Sequence, residues 1–389
     1  MTEESTRKWN ISVEQWKKEF WQTKKILFPV VVNQLLTLFG WYFVYDCQTD
    51  PDSPAYYLLD RRRNFTTGND VYDGALNGAF CITLLAILSF FMLMVALYNF
   101  RRLIQCWLSL SCLLIVFGIS SMFIRDTLKA LKVDSLFLVF GIALIYGAGG
   151  AITFFYDKAP LFLHQVYVVC NCALVSLYYL RLLPAHTAWF LLVAIIAWDA
   201  FAVLAPHGPL NLITGCAENY SDSILRFLMF TAKIPSEKNE AVEDDVKTCP
   251  TNSVEDCSVN EDVSEASEVT EIAVDETLLE RTAKDALNDE NSIRLGLGDF
   301  VFYSVLVGKA ASSGSLAATV AAMFGVILGL LITLTVFSDS DDTMPALPCS
   351  VALGMIFHFG TLFVFEPVFQ WLVWPWIHLM FDQLFLIFV

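Results

Sequence analysis

Two aspartates stand where a charge is costly. Asp199 lies in Ala194-Ile195-Ile196-Ala197-Trp198-Asp199-Ala200-Phe201, and Asp299 in Leu295-Gly296-Leu297-Gly298-Asp299-Phe300-Val301-Phe302, each with apolar neighbours on both sides. An ionisable side chain at the middle of a membrane-spanning helix costs about 2.5 to 3.5 kcal/mol on insertion scales, so both demand a reason. Three arrangements fit. Each carboxyl is satisfied separately by a hydroxyl or a helix end, or the two relay a proton or ion, or they meet and share a proton. The third has a definite chemistry. Two carboxyl groups about 3 Å apart cannot both ionise, so the pair holds a single proton near neutrality. The ionised member takes a proton from water while the protonated one donates to the carbonyl of a peptide bond, and the pair titrates as a unit.

The residues beside Asp299 bear on the choice. Gly296 and Gly298 remove side chains next to the carboxylate, which admits an extended backbone and weakens the start of a helix. Small residues at a helix contact are the plainer alternative. Further on, Pro345-Ala346-Leu347-Pro348 lacks two backbone donors and pushes the preceding residues toward extended conformations. This predicts an irregular segment near membrane depth, of the kind tolerated when buried in protein or lining a wet cavity. Free amides and carbonyls at Ala346 and Leu347 would then suit the addition of a substrate strand. A helix opened by proline is the alternative. None of the five histidines begins a His-Glu-x-x-His motif, and the ten cysteines lie mostly in apolar runs without zinc spacing. They read as packing residues, so neither a metal nor a cofactor is expected.

The elements that must position these residues follow from composition. Of 389 residues 56% are hydrophobic and only 16% charged, against roughly 25% charged in a soluble domain. The net charge of −16 is concentrated between Pro206 and Arg294, which hold 20 acidic and 7 basic residues. No basic patch supports binding to nucleic acid. Apolar stretches long enough to cross about 30 Å of hydrocarbon as helices recur. They lie near residues 26–45, 78–98, 103–124, 135–155, 161–180, 186–205, 295–311, 316–337 and 345–366. This predicts an all-α polytopic membrane protein of nine spans. The seventh is weakest by hydropathy because it carries Asp299 and Lys309.

Lys and Arg number 16 on one set of alternating sides and 8 on the other, which puts the N-terminus in the cytosol. The Asn64-Phe65-Thr66 sequon then faces the lumen, where glycosylation takes place. Residues 1–25, with Trp9, Trp16 and Trp21, are unlike a cleaved signal peptide. The chain divides into a cytosolic segment 1–25, spans one to six over 26–205, an acidic loop over 206–294, and spans seven to nine with an apolar tail over 295–389. The loop is rich in Glu, Asp, Ser and Thr from Ser221 to Asn291, a composition that predicts disorder. Its one apolar piece runs from Ile224 through Leu228 to Phe230. An interfacial amphipathic segment and a functional one both fit it.

The motifs taken together resemble a known family. Leu295 through Asp299 to Ala310 is similar, almost residue for residue, to the GxGD signature of the presenilins, and Pro345-Ala346-Leu347-Pro348 resembles their PALP motif. Trp198-Asp199, followed by Ala202-Val203-Leu204 and Gly208-Pro209-Leu210, resembles the first catalytic region. Span number and loop position agree over about 26–369. Presenilin is the catalytic subunit of γ-secretase, an aspartyl protease that cuts single-span proteins inside the membrane. The resemblance implies that Asp199 and Asp299 are the catalytic pair, that Gly296, Leu297 and Gly298 border the substrate, and that Pro345, Ala346 and Leu347 shape the site. It implies cleavage of the chain itself between spans six and seven, where the apolar piece at Ile224, Leu228 and Phe230 is the candidate. It also implies nicastrin-like, anterior-pharynx-defective-like and presenilin-enhancer-like partners. The implied locations are endoplasmic reticulum and Golgi membranes, then plasma membrane and endosomes.

The sequence departs from the family at Trp198, where Tyr is usual, in its acidic loop, in residues 1–25, and in the apolar tail from Gln370 to Val389. That tail still contains Asp382-Gln383-Leu384, like the family's end. Two other readings stay open. Signal peptide peptidases share both motifs but lack the second proline and run in the opposite orientation. An ion-leak channel or transporter would use the aspartates as gating or relay groups.

Overall fold

A computed structural model describes residues 23–45, 69–98, 100–133, 135–156, 159–204, 229–233, 292–336 and 346–372. Among these, nine helices and one small sheet are found. We number the helices α1 (Thr23–Tyr45), α2 (Asp70–Leu97), α3 (Arg102–Ala130), α4 (Leu136–Phe155), α5 (Leu161–Leu182), α6 (Ala185–Leu204), α7 (Leu297–Ala311), α8 (Leu316–Val336) and α9 (Leu347–Leu372). Seven are long and apolar enough to cross a membrane. The other two, α6 and α7, carry Asp199 and Asp299. The chain is a multi-pass integral membrane protein.

The helix weakest by hydropathy lies at the centre. In α7 all residues from Phe300 to Ala311 except Phe302 are buried, because α1, α5, α8 and α9 surround it. A helix hidden from lipid on every side need not be uniformly apolar, which accommodates the charge at its first turn and Lys309 at its last. At the rim the opposite holds: Phe137, Phe140, Leu144 and Ile145 of α4 are exposed apolar side chains, as suits contact with lipid.

Glycines set how closely the helices approach. Gly74 and Gly78 of α2 bring that helix against α6, where added Cβ atoms would lie 2.7 Å from His186 Cβ and 2.9 Å from Phe190 Cβ. In α8, a Cβ on Gly329 would lie 2.5 Å from Ser350 Cα, and one on Gly325 2.8 Å from Leu353 O. Without a hydrophobic drive between helices in lipid, such backbone contact is a main source of association.

A buried ion pair ties three helix ends together. Arg181 of α5 bonds the Asp126 carboxylate of α3, and the Tyr45 hydroxyl of α1 donates to the same oxygen, Oδ2, at 3.4 Å. The Arg181 guanidinium also lies 5.1 Å from the centre of the Tyr45 ring. The third span was expected to end near residue 124; α3 instead continues to Ala130, and Arg181 accommodates the charge this buries.

Two further expectations are corrected. The acidic loop is not structureless throughout: strand β1 (Met229–Lys233) pairs antiparallel with β2 (Ser292–Gly296), Met229 opposite Gly296 and Lys233 opposite Ser292. The extended segment predicted at the paired prolines is replaced by helix from Ala346 onward. A proline in the first turn removes an N–H that has no partner there anyway, so Pro348 is compatible with a helix start. Leu347 is buried in the core. Asn64, Ile224, Leu228 and Pro345 lie outside the described residues.

Candidate active site

The site is built where β2 runs into α7. Gly296 caps the helix in an extended conformation (φ −66°, ψ 140°), and Asp299 falls in the first turn. A carboxylate there is favoured by the partial positive charge of the helix N-terminus. Asp199 sits in the last turns of α6, half-buried, and Trp198 beside it meets the Phe90 ring of α2 edge-on at 6.0 Å and the Phe201 ring at 5.8 Å. The Trp198 that departs from the family pattern therefore fills an apolar contact between α2 and α6.

Asp199 and Asp299 come within electrostatic range of each other, and both act on Tyr303. Tyr303 is fully buried one helical turn beyond Asp299, with its hydroxyl beside Ser350 of α9 and Cys349 nearby. Three helices thus converge on the two carboxyls: α6 and α7 bring the acids, and α9 the residues next to the PALP motif. Among the described residues neither aspartate makes an ion pair, and no group of three or more His, Cys, Asp or Glu could hold a metal ion.

The other residues singled out by sequence distribute unevenly. Gly296 and Leu297 are half-buried and Gly298 is exposed, all within one turn of Asp299. An added Cβ on Gly298 would meet nothing nearer than Phe302 Cε2 at 3.9 Å, so the space beside the acid is open. Phe230 lies in β1 and packs against Phe300, ring centres 5.2 Å apart, both buried. Tyr303, Ser350 and Cys349 were missed. Tyr303 carried a usable signal, since residues four apart share a helix face.

Comparison with known proteins identifies the family. The presenilin family profile matches residues 18–277 and 238–369. Presenilin spe-4 of Caenorhabditis elegans is 32% identical over 450 aligned positions, covering 90% of this chain and 97% of that protein. Presenilin sel-12 of the same organism is 30% identical over 310 positions, covering 69% of each. The presenilin homolog of Drosophila melanogaster is 25% identical over 382, covering 76% of this chain and 70% of its own.

Proposed function

The chain belongs to the presenilin family, and from that premise we propose that it is an intramembrane aspartyl endopeptidase in which Asp199 and Asp299 form the general acid/base pair. The observation that carries this is the convergence of two carboxyls from distant parts of the sequence with no cation paired to either among the described residues. A pair so placed keeps one proton to exchange. One carboxylate activates water, the protonated partner donates to the scissile carbonyl, and neither metal nor covalent intermediate is needed. The reading includes a γ-secretase-like assembly with nicastrin-like, anterior-pharynx-defective-like and presenilin-enhancer-like subunits, working in endoplasmic reticulum and Golgi membranes.

A helical substrate hides its carbonyls and must unwind before attack, and unwinding within lipid leaves backbone groups unpaired at several kcal/mol each. Gly296, Leu297 and Gly298 would border the unwound stretch, and Pro345, Ala346 and Leu347 of the PALP motif would help shape the site. The β1–β2 ladder supports self-cleavage of the loop. β1 runs away from Asp299, with Met229 at the end nearest the acid. The bond ahead of it, Leu228–Met229, is the proposed cut, within the apolar piece from Ile224 to Phe230.

The test is turnover of a single-span substrate by the complex purified in mild detergent. Asp199→Asn and Asp299→Asn should each abolish cleavage without loss of expression or assembly, and should leave the chain whole where the wild type runs as two associated fragments. Retained turnover in either variant refutes the acid pair. Ion conductance lost with the same substitutions, in a protein that cuts nothing, would favour the channel.

A further inference from the structure

Asp299 is held from behind. At about 100° per residue, Leu297, Phe300, Val301 and Ser304 share one face of α7, and polar side chains of two neighbouring helices are attached along it. From α1, Asn33 Nδ2 donates to the Phe300 carbonyl at 2.9 Å and to Ser304 Oγ at 2.7 Å. From α5, the Ser176 hydroxyl reaches the Val301 carbonyl at 3.1 Å, sharing its hydrogen with the Cys172 carbonyl at 2.8 Å, and the Cys172 thiol lies 3.8 Å from the Leu297 carbonyl. Asn33 is 1% exposed, Ser176 fully buried and Cys172 5% exposed. The Asn33 amide orientation follows from chemistry, since the Phe300 carbonyl can only accept. Asp299 lies about 150° away from the centre of that face, on the same side of the helix as Tyr303, which lies beside Ser350.

Apolar packing in lipid resists sliding and rotation of a helix weakly, because one apolar contact replaces another at little cost. A hydrogen bond to a particular carbonyl is specific to one register. The bonded carbonyls belong to Leu297, Phe300 and Val301, which bracket Asp299. We infer that Asn33 and Ser176 are positioning residues that fix the depth and rotation of α7, and so the separation of the two catalytic carboxyls. This rests on the protease reading above. Neither residue touches the acids, so loosening the clamp leaves substrate binding in place and slows the chemical step. A displacement near 1 Å at a catalytic group costs about a hundredfold in rate.

The experiment uses the full chain in its purified complex. Asn33→Leu keeps the volume and removes the donor: kcat should fall at least tenfold with KM within twofold. Ser176→Ala and Ser304→Ala, each the loss of one hydroxyl, should lower kcat less, and adding Ser304→Ala to Asn33→Leu should change nothing further, because Asn33→Leu has already removed the bond to Ser304. A second readout does not depend on activity. With Asp199→Cys and Asp299→Cys introduced together, a short thiol crosslinker should join the two positions efficiently, and the yield should drop when Asn33→Leu is added. Unchanged kcat, a rise in KM alone, or an undiminished crosslink overturns the clamp. If Asn33→Leu does not assemble, Ser176→Ala and Ser304→Ala decide by the same two measurements. A wild type with no turnover overturns the protease reading, and the crosslink still decides whether Asn33 sets the spacing.

Discussion

Asp126 and Asp299 are both acids inside the helix bundle, and their surroundings are opposite. Asp126, 3% exposed, is bonded by Arg181 and Tyr45, with Arg125 Nε 3.8 Å from its other oxygen. Asp299 has another carboxyl, that of Asp199, as its charged neighbour. A carboxylate bonded to a guanidinium serves to hold α1, α3 and α5 together. Two carboxyls without a cation gain little for the fold and remain able to pass one proton between them. The largest expected effect tests this contrast. Asp126→Asn leaves Arg181 without its counter-ion and should cost about 3 kcal/mol, the low end for a broken buried pair because Arg181 keeps 24% of its side chain exposed. Asp299→Asn should leave the unfolding midpoint in detergent unchanged while abolishing turnover. Replacing Asp126 and Arg181 together by Leu and Met should recover most of the lost stability. Equal destabilisation by Asp126→Asn and Asp299→Asn would mean that Asp299 is also a structural acid.

A second contrast lies in how the site's helices are held. Hydrogen bonds fix α7, while α9 is held against α8 by backbone approach at Gly325 and Gly329. A Cβ on Gly329 would come 2.5 Å from Ser350 Cα, a backbone atom that cannot rotate aside. Gly329→Ala should therefore cost about 1 to 3 kcal/mol, the range for overpacking a tight contact. It should also displace Ser350, beside Tyr303, and lower turnover. A melting point equal to wild type would show that α8 and α9 separate more easily than their contact suggests.

Much of the fold was legible because lipid imposes one length scale on every span. Nine helices were expected and nine are found among the described residues, including α7, which hydropathy alone would miss. The two aspartates were legible because a charge in an apolar run has no inexpensive explanation. What stayed hidden depended on long-range pairing. Asn33 and Ser176 are unremarkable polar residues in apolar helices until α7 is placed between them. The third span was expected to end near residue 124, short of Asp126, because the partner of that acid lies on another helix. The β1–β2 pairing joins Phe230 to Leu295 across an acidic loop, and no local pattern announces it. At the PALP motif the proline rules allowed both an extended segment and a helix start, and burial of Leu347 in the core favours the helix.

The smallest expected effect on stability comes from Gly298→Ala, and it separates fold from function most cleanly. Gly298 is exposed in the first turn of α7, and an added Cβ would find its nearest atom, Phe302 Cε2, at 3.9 Å, an ordinary contact. Nothing in the fold requires a glycine there, and alanine restricts the unfolded chain, so stability should rise by about 0.5 kcal/mol. Gly296→Ala is a stricter companion, since its Cβ would lie 3.7 Å from Asp299 Oδ2 and touch the acid itself. If the open space beside Asp299 is where an unwound substrate passes, a methyl group in it should lower kcat/KM several-fold despite the gain in stability. Melting and turnover measured on the same preparation decide the matter. A Gly298→Ala enzyme that is more stable and fully active would show that the substrate approaches the acids from another side, leaving the glycines a role in helix contact alone.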